Sequence, residues 1–161
     1  MILLSTSNLS RQFGGLKAVD SINFELPVGE VRALIGPNGA GKTTFVSMLS
    51  GRILASEGKI FFDGQDITSE PAHRRIRAGM AYTFQITSVY SRLPVYENVA
   101  LAVRWQSGGD EAVTGRRVFE ALHRVGISDR ANQPAGDLSY GHQRLLEIAM
   151  GLSQKPRLLI L

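Results

Sequence analysis

Eight consecutive residues, Gly36-Pro37-Asn38-Gly39-Ala40-Gly41-Lys42-Thr43, fill every fixed position of the pattern G-x-x-x-x-G-K-[ST]. The chemistry that needs this order is the holding of phosphate. Glycines let the backbone turn tightly, so successive amide N–H groups point at one anion. A helix beginning near Lys42 adds the positive end of its peptide dipoles. Lys42 supplies a mobile charge for the β- and γ-phosphates, and the Thr43 hydroxyl is placed to ligate Mg²⁺. The loop therefore reads as a site for a nucleoside triphosphate, ATP with Mg²⁺.

Such a loop needs a strand before it and a helix after it. Val31-Arg32-Ala33-Leu34-Ile35 is short and mostly apolar, and predicts the strand. A helix is expected from Lys42 to Ser50, with Phe45, Val46, Met48 and Leu49 reaching a core. Upstream, the first 26 residues read as strands, with Ile22, Phe24 and Leu26 on one face and Gly14-Gly15 as a turn. Gly58 to Asp63 reads as another strand, Pro71 to Arg77 as a short basic helix, and Met80 to Phe84 as a buried strand.

The second half changes character. Val95 to Trp105 and Glu111 to Val125 have helical periodicity, with Val118, Leu122 and Val125 on one stripe and Gly126 as a stop. Ser139 is the expected N-cap of a helix running to Leu152. The chain closes on Arg157-Leu158-Leu159-Ile160-Leu161, which reads as the start of a buried strand and so as a fragment of a longer domain.

Composition narrows the function classes. With 161 residues, 43% hydrophobic and 20% charged, the chain is long enough for one domain with a core. It has no cysteine, which excludes disulfides, thiolate zinc sites and cysteine nucleophiles. His73, His123 and His142 lack ligand spacing, so a metal held by side chains alone is not expected. No apolar run approaches the roughly 18 residues of a membrane span. The start has no signal-peptide pattern, which predicts a chain kept in the cytosol. The net charge of +4 comes from scattered Lys and Arg, with a short cluster at His73-Arg74-Arg75-Ile76-Arg77. No nucleic-acid recognition motif accompanies it, so no nucleic-acid partner is expected.

Other segments say which kind of phosphate-loop protein this resembles. Gly36 to Thr44 is similar to the Walker A sequence of ATP-binding cassette (ABC) proteins, and Leu138-Ser139-Tyr140-Gly141-His142-Gln143-Arg144 looks like their LSGGQ signature. Gln85, in Tyr82-Thr83-Phe84-Gln85, sits where the family's Q-loop glutamine is expected, and Pro156 to Leu161 resembles the Walker B strand. Phe13-Gly14-Gly15-Leu16-Lys17-Ala18-Val19 and the Ser-Tyr-Gly signature are similar to ATPase subunits of branched-chain amino acid importers. The signature departs from the family's pattern at Tyr140, in place of glycine, and at His142, in place of glutamine.

The resemblance implies an α/β fold. It would be a P-loop NTPase core with an N-terminal antiparallel β part and an inserted α-helical subdomain. The nucleotide-binding core would cover 1–85, the helical subdomain 86–153, and the Walker B strand would begin in 154–161. Phe13 would stack on adenine. Gly36, Pro37, Asn38, Gly39, Ala40, Gly41, Lys42, Thr43 and Thr44 would cradle the phosphates. Lys42 and Gln85 would serve catalysis, with Thr43 and Gln85 at Mg²⁺. Ser139 and Gly141 would touch the γ-phosphate of ATP held by a second cassette.

The implied partners are that second cassette, transmembrane permease subunits and, indirectly, a solute-binding protein. The place is the cytoplasmic face of the membrane, held peripherally. The family's Walker B aspartate, catalytic glutamate and switch histidine would follow Leu161. The 161 residues are therefore expected to turn over slowly and to associate. The readings left open are a cassette that binds ATP without efficient hydrolysis, a soluble ABC protein of ribosomes or DNA, and a GTPase.

Overall fold

The computed structural model describes residues 1–83 and 88–161, Trp105 by its backbone alone. Two compact units divide the chain, Met1–Ala78 and Gly79–Leu161.

In the first unit, β1 (Ile2–Phe13) and β2 (Leu16–Pro27) form a long antiparallel hairpin, turned at Gly14 with φ +55°. β3 (Glu57–Phe62) pairs on the other side of β1, and the two-residue β4 (Gln65–Asp66) follows, giving the order β2-β1-β3-β4. The register sets Leu4 against both Leu26 and Phe62, so the buried residues of three strands meet on one face. Pairing shifts near Asn8 and Ser21, both at positive φ. There the polar side chains complete the ladder: Asn8 N–H donates to Asn23 Oδ1 at 2.9 Å and Ser21 N–H to Ser10 Oγ at 2.8 Å. The helix α1 (Lys42–Leu49) buries Phe45, Met48 and Leu49, and Phe45 meets Phe24 of β2 edge-on at 5.7 Å.

The expected strand at 31–35 is not formed. Val31 is 96% and Ile35 92% exposed, and the segment has no regular structure. A strand needs a neighbour for its N–H and C=O groups, and among the described residues neither sheet offers this segment one. Apolar pattern alone therefore did not make a strand here.

In the second unit, α3 (Val95–Ser107), α4 (Glu111–Val125) and α5 (Tyr140–Ser153) pack around Val95, Val99, Val118, Leu122, Ile127, Leu146 and Ala149. The short helix α2 (Ala72–Arg77) belongs to the first unit. Local chemistry sets the ends of α4. Asp110 accepts from the N–H of Ala112 and Val113, and Gly126 closes the helix at φ +76°. Asn98 is fully buried and holds the approach to α3, accepting from Tyr90 N–H and donating to the carbonyls of Tyr90, Leu93 and Pro94. β5 (Met80–Tyr82) and β6 (Leu158–Ile160) run parallel, extended by Thr83 N–H donating to Ile160 O. The expected strand Met80 to Phe84 thus ends earlier as a ladder, and Phe84 lies outside the described residues.

Candidate functional site

In the phosphate loop, residues 36–41 turn without regular structure, and Lys42 and Thr43 are the first residues of α1. Gly39 and Gly41 hold φ +83° and +79°, the left-handed region in which a side chain is strained. Gly41 also lies against β2: a Cβ there would fall well inside contact distance of the Ala18 carbonyl oxygen. The α1 ladder begins when Phe45 N–H donates to Gly41 O at 2.8 Å. The N-cap is Gly41, which has no side chain to cap this helix start, and the first turn holds no acidic residue. The positive end of α1 therefore suits an anion.

Lys42 reaches back across the loop. Its Nζ donates to the carbonyl oxygens of Gly36 and Pro37, both at 2.7 Å. An ammonium has three N–H donors, so this leaves one for a further oxygen while the charge is already held over the loop. Thr43 is exposed at the loop's exit and Thr44 half-buried beside it. These residues fit a phosphate chain. They fit Mg²⁺ only as a shared ligand set: among the described residues no group of three His, Asp or Glu could hold a metal. A divalent ion would take most of its oxygens from phosphate and water, with Thr43 adding one.

Beside β2's contact with the loop, Lys17 and Asp20 form an exposed ion pair at 2.6 Å. The hydrogen bond between them raises the Lys17 pKa and lowers that of Asp20, so both stay charged at neutral pH. Phe13, at the end of β1, is 42% exposed, and the Arg11 guanidinium lies over its ring at 4.5 Å.

In the second unit, Ser139 is the N-cap of α5. Its Oγ accepts from His142 N–H at 3.4 Å and shares a 2.7 Å hydrogen bond with His142 Nδ1. Gln143 Nε2 donates to the carbonyls of Ala135 and Leu138, bracing the turn that presents Ser139. Tyr140 is 72% exposed. Gly141 is exposed too, and a Cβ on it would meet nothing within 4 Å among the described residues. Packing among the described residues therefore does not require glycine there. Gln85 lies outside the described residues.

A sequence description of known proteins, ABC transporter, matches residues 19–161. The chain belongs to the ABC transporter family. As an ATP-binding domain of that family it has near relatives with different cargoes in their names. It is 37% identical over 174 residues to the probable branched-chain amino acid transport ATP-binding protein LivG of Archaeoglobus fulgidus, covering 100% of this chain and 67% of that protein. It is 34% identical over 161 residues to the spermidine/putrescine import ATP-binding protein PotA of Nitrosospira multiformis, covering 100% and 43%. A solved ATP-binding cassette of an ABC transporter aligns with it at a TM-score of 0.89 and 28% identity, over 99% of this chain and 68% of that one. The chain thus spans about two thirds of the length of the LivG relative and under half that of PotA.

Three buried polar residues of the cassette escaped the sequence reading. Arg75 stands in the short basic cluster 73–77, yet it is 1% exposed. Its guanidinium donates to the carbonyls of Met48 and Leu49 at 2.7 and 2.9 Å, and to those of Thr68 and Glu70. Burial lowers its pKa, and nearby Glu70 partly offsets this. Glu147, 5% exposed on α5, accepts from Ser88 N–H at 2.6 Å and from Arg144 at 2.7 Å. Asn98 is the third. The bonds of Arg75 to Met48 and Leu49 and of Glu147 to Ser88 span 26 to 59 residues, which no local pattern marks, whereas Asn98 bonds within eight residues of itself.

Proposed function

We propose that this cassette is the ATP-binding subunit of an importer, coupling ATP binding and hydrolysis to uptake of branched-chain amino acids or a similar small polar solute. The observation that carries the nucleotide reading is Lys42, its ammonium held by two loop carbonyls at a helix start whose N-cap is Gly41. The solute class rests on the likeness to LivG; the likeness to PotA is why it is a proposal.

Within this reading Gly36 to Thr44 cradle the phosphates, Phe13 stacks on adenine, and Thr43 with Gln85 serves Mg²⁺. Lys42 stabilises the charge that develops on the transferred phosphoryl group. Ser139 and Gly141 meet the γ-phosphate of ATP on a second cassette, and the open space at Gly141 supports such an approach from outside the chain. The core is 1–85 with 154–161, and 86–153 is the helical subdomain. Permease subunits hold the cassette at the cytoplasmic face of the membrane and a solute-binding protein acts through them. Among the described residues no helix is long and apolar enough to cross a membrane, which favours attachment through partners.

Lys42→Ala tests the reading. In a calorimetric titration with Mg-ATP, affinity should fall at least tenfold, the loss of one charge-assisted contact of about 1.5–3 kcal/mol. Unchanged affinity would sink it. The rival reading, a cassette that holds ATP without efficient hydrolysis, is separated by single-turnover phosphate release.

A further inference from the structure

Residues 11 and 13 of β1 are two apart, so their side chains leave the same face of the strand. The Arg11 guanidinium covers one face of the Phe13 ring at 4.5 Å. It does not hang there freely. Nη1 donates to the Leu54 carbonyl oxygen at 3.0 Å, and Nε is buried with no hydrogen-bond partner among the described residues. A guanidinium that reached for water would satisfy that N–H; this one is kept against the ring instead. The hairpin end is braced as well, through Gln12 N–H to Ser56 Oγ at 3.1 Å and Gln12 Nε2 to Gly14 O at 2.8 Å. Phe13 nevertheless stays 42% exposed, with its ring available to a planar group from solvent.

We propose that Arg11 is a positioning residue for the nucleobase, holding the Phe13 ring from behind so that its other face is preorganised to stack on adenine. The proposal rests on the reading of Phe13 given above and adds the residue that makes that ring a rigid platform. Two effects act together. The clamp removes rotamer freedom that stacking would otherwise have to freeze. The cation draws on the ring's negative face, which favours a heteroaromatic on the opposite side. A clip that merely held β1 to the segment around Leu54 would make the same hydrogen bond but have no preference for the base.

The experiment uses the 161-residue chain with two probes, Mg-ATP and Mg-tripolyphosphate, the second carrying phosphates without a base. Arg11→Ala should weaken ATP about three- to tenfold, the range expected for a partly desolvated cation–ring contact, and leave tripolyphosphate within about twofold. Arg11→Lys should fall between, having charge but no planar fork to stack and donate at once. In a Phe13→Ala background, Arg11→Ala should cost nothing more, because the residue acts through the ring. Equal weakening of both probes, a full penalty in the Phe13→Ala background, or unchanged ATP affinity would each overturn the proposal. Wild type binding both probes equally would refute base stacking at Phe13 and this proposal with it. Wild type binding neither would refute the phosphate-loop reading beneath both.

Discussion

A Cβ on Gly41 would collide with the Ala18 carbonyl, whereas one on Gly141 would meet open space. Gly41 is also held at φ +79°, where a side chain costs about 1–2 kcal/mol before any collision. Gly41→Ala should therefore lower both the melting temperature and the affinity for Mg-ATP. Gly141→Ala should leave the melting temperature unchanged or slightly raised, since alanine favours a helix by up to about 1 kcal/mol. Its effect should appear only in ATP-driven pairing of cassettes, read by sedimentation. If Gly141→Ala pairs as well as wild type, the signature does not receive a second chain's phosphate closely. Both glycines were legible as motif positions. The pattern could not say that one is demanded by β2 and the other by nothing among the described residues, because Ala18 lies 23 residues from Gly41.

At the scale of elements, the phosphate-loop helix is held at its far end by an arginine. α1 has eight residues and no basic residue in its last turn, so its C-terminal carbonyls lack a local cation. Arg75, from α2, supplies that charge from 26 and 27 residues away. Arg75→Leu should cost about 2–4 kcal/mol, because the buried carbonyls of Met48 and Leu49 and the part-buried one of Thr68 lose the guanidinium's hydrogen bonds. For a chain of this size that is a fall in melting temperature of about 4–16 °C. A shift within 2 °C in a thermal melt would show that water replaces the guanidinium. The helices of the second unit, by contrast, were readable almost to the residue: Glu111 to Val125 lies between Asp110 and Gly126, which cap it through their own chemistry. The Ser139 cap of α5 was equally local. Arg75 was not readable, since a basic run looks the same whether one member turns inward or none does.

At the scale of the whole molecule, residues 31–35 expose Val31 and Ile35 in a segment that other chains can pair with. The 161-residue chain should self-associate as concentration rises, and Val31→Lys with Ile35→Lys should keep it monomeric to higher concentration. Light scattering across a dilution series checks this, and equal behaviour of both proteins would place the sticky surface elsewhere. The amino-acid sequence by itself determined what depends on near neighbours: the phosphate loop, the helix caps, the hairpin at Gly14-Gly15 and the family to which they belong. These are carried by backbone dihedrals and by side chains within a few residues. Tertiary structure alone decided what depends on distant partners. It left the apolar run at 31–35 without a ladder, turned Arg75 inward onto α1, and laid Arg11 against Phe13 while tying it to Leu54. Burial and pairing are set by what the folded chain brings alongside, which residue type does not encode.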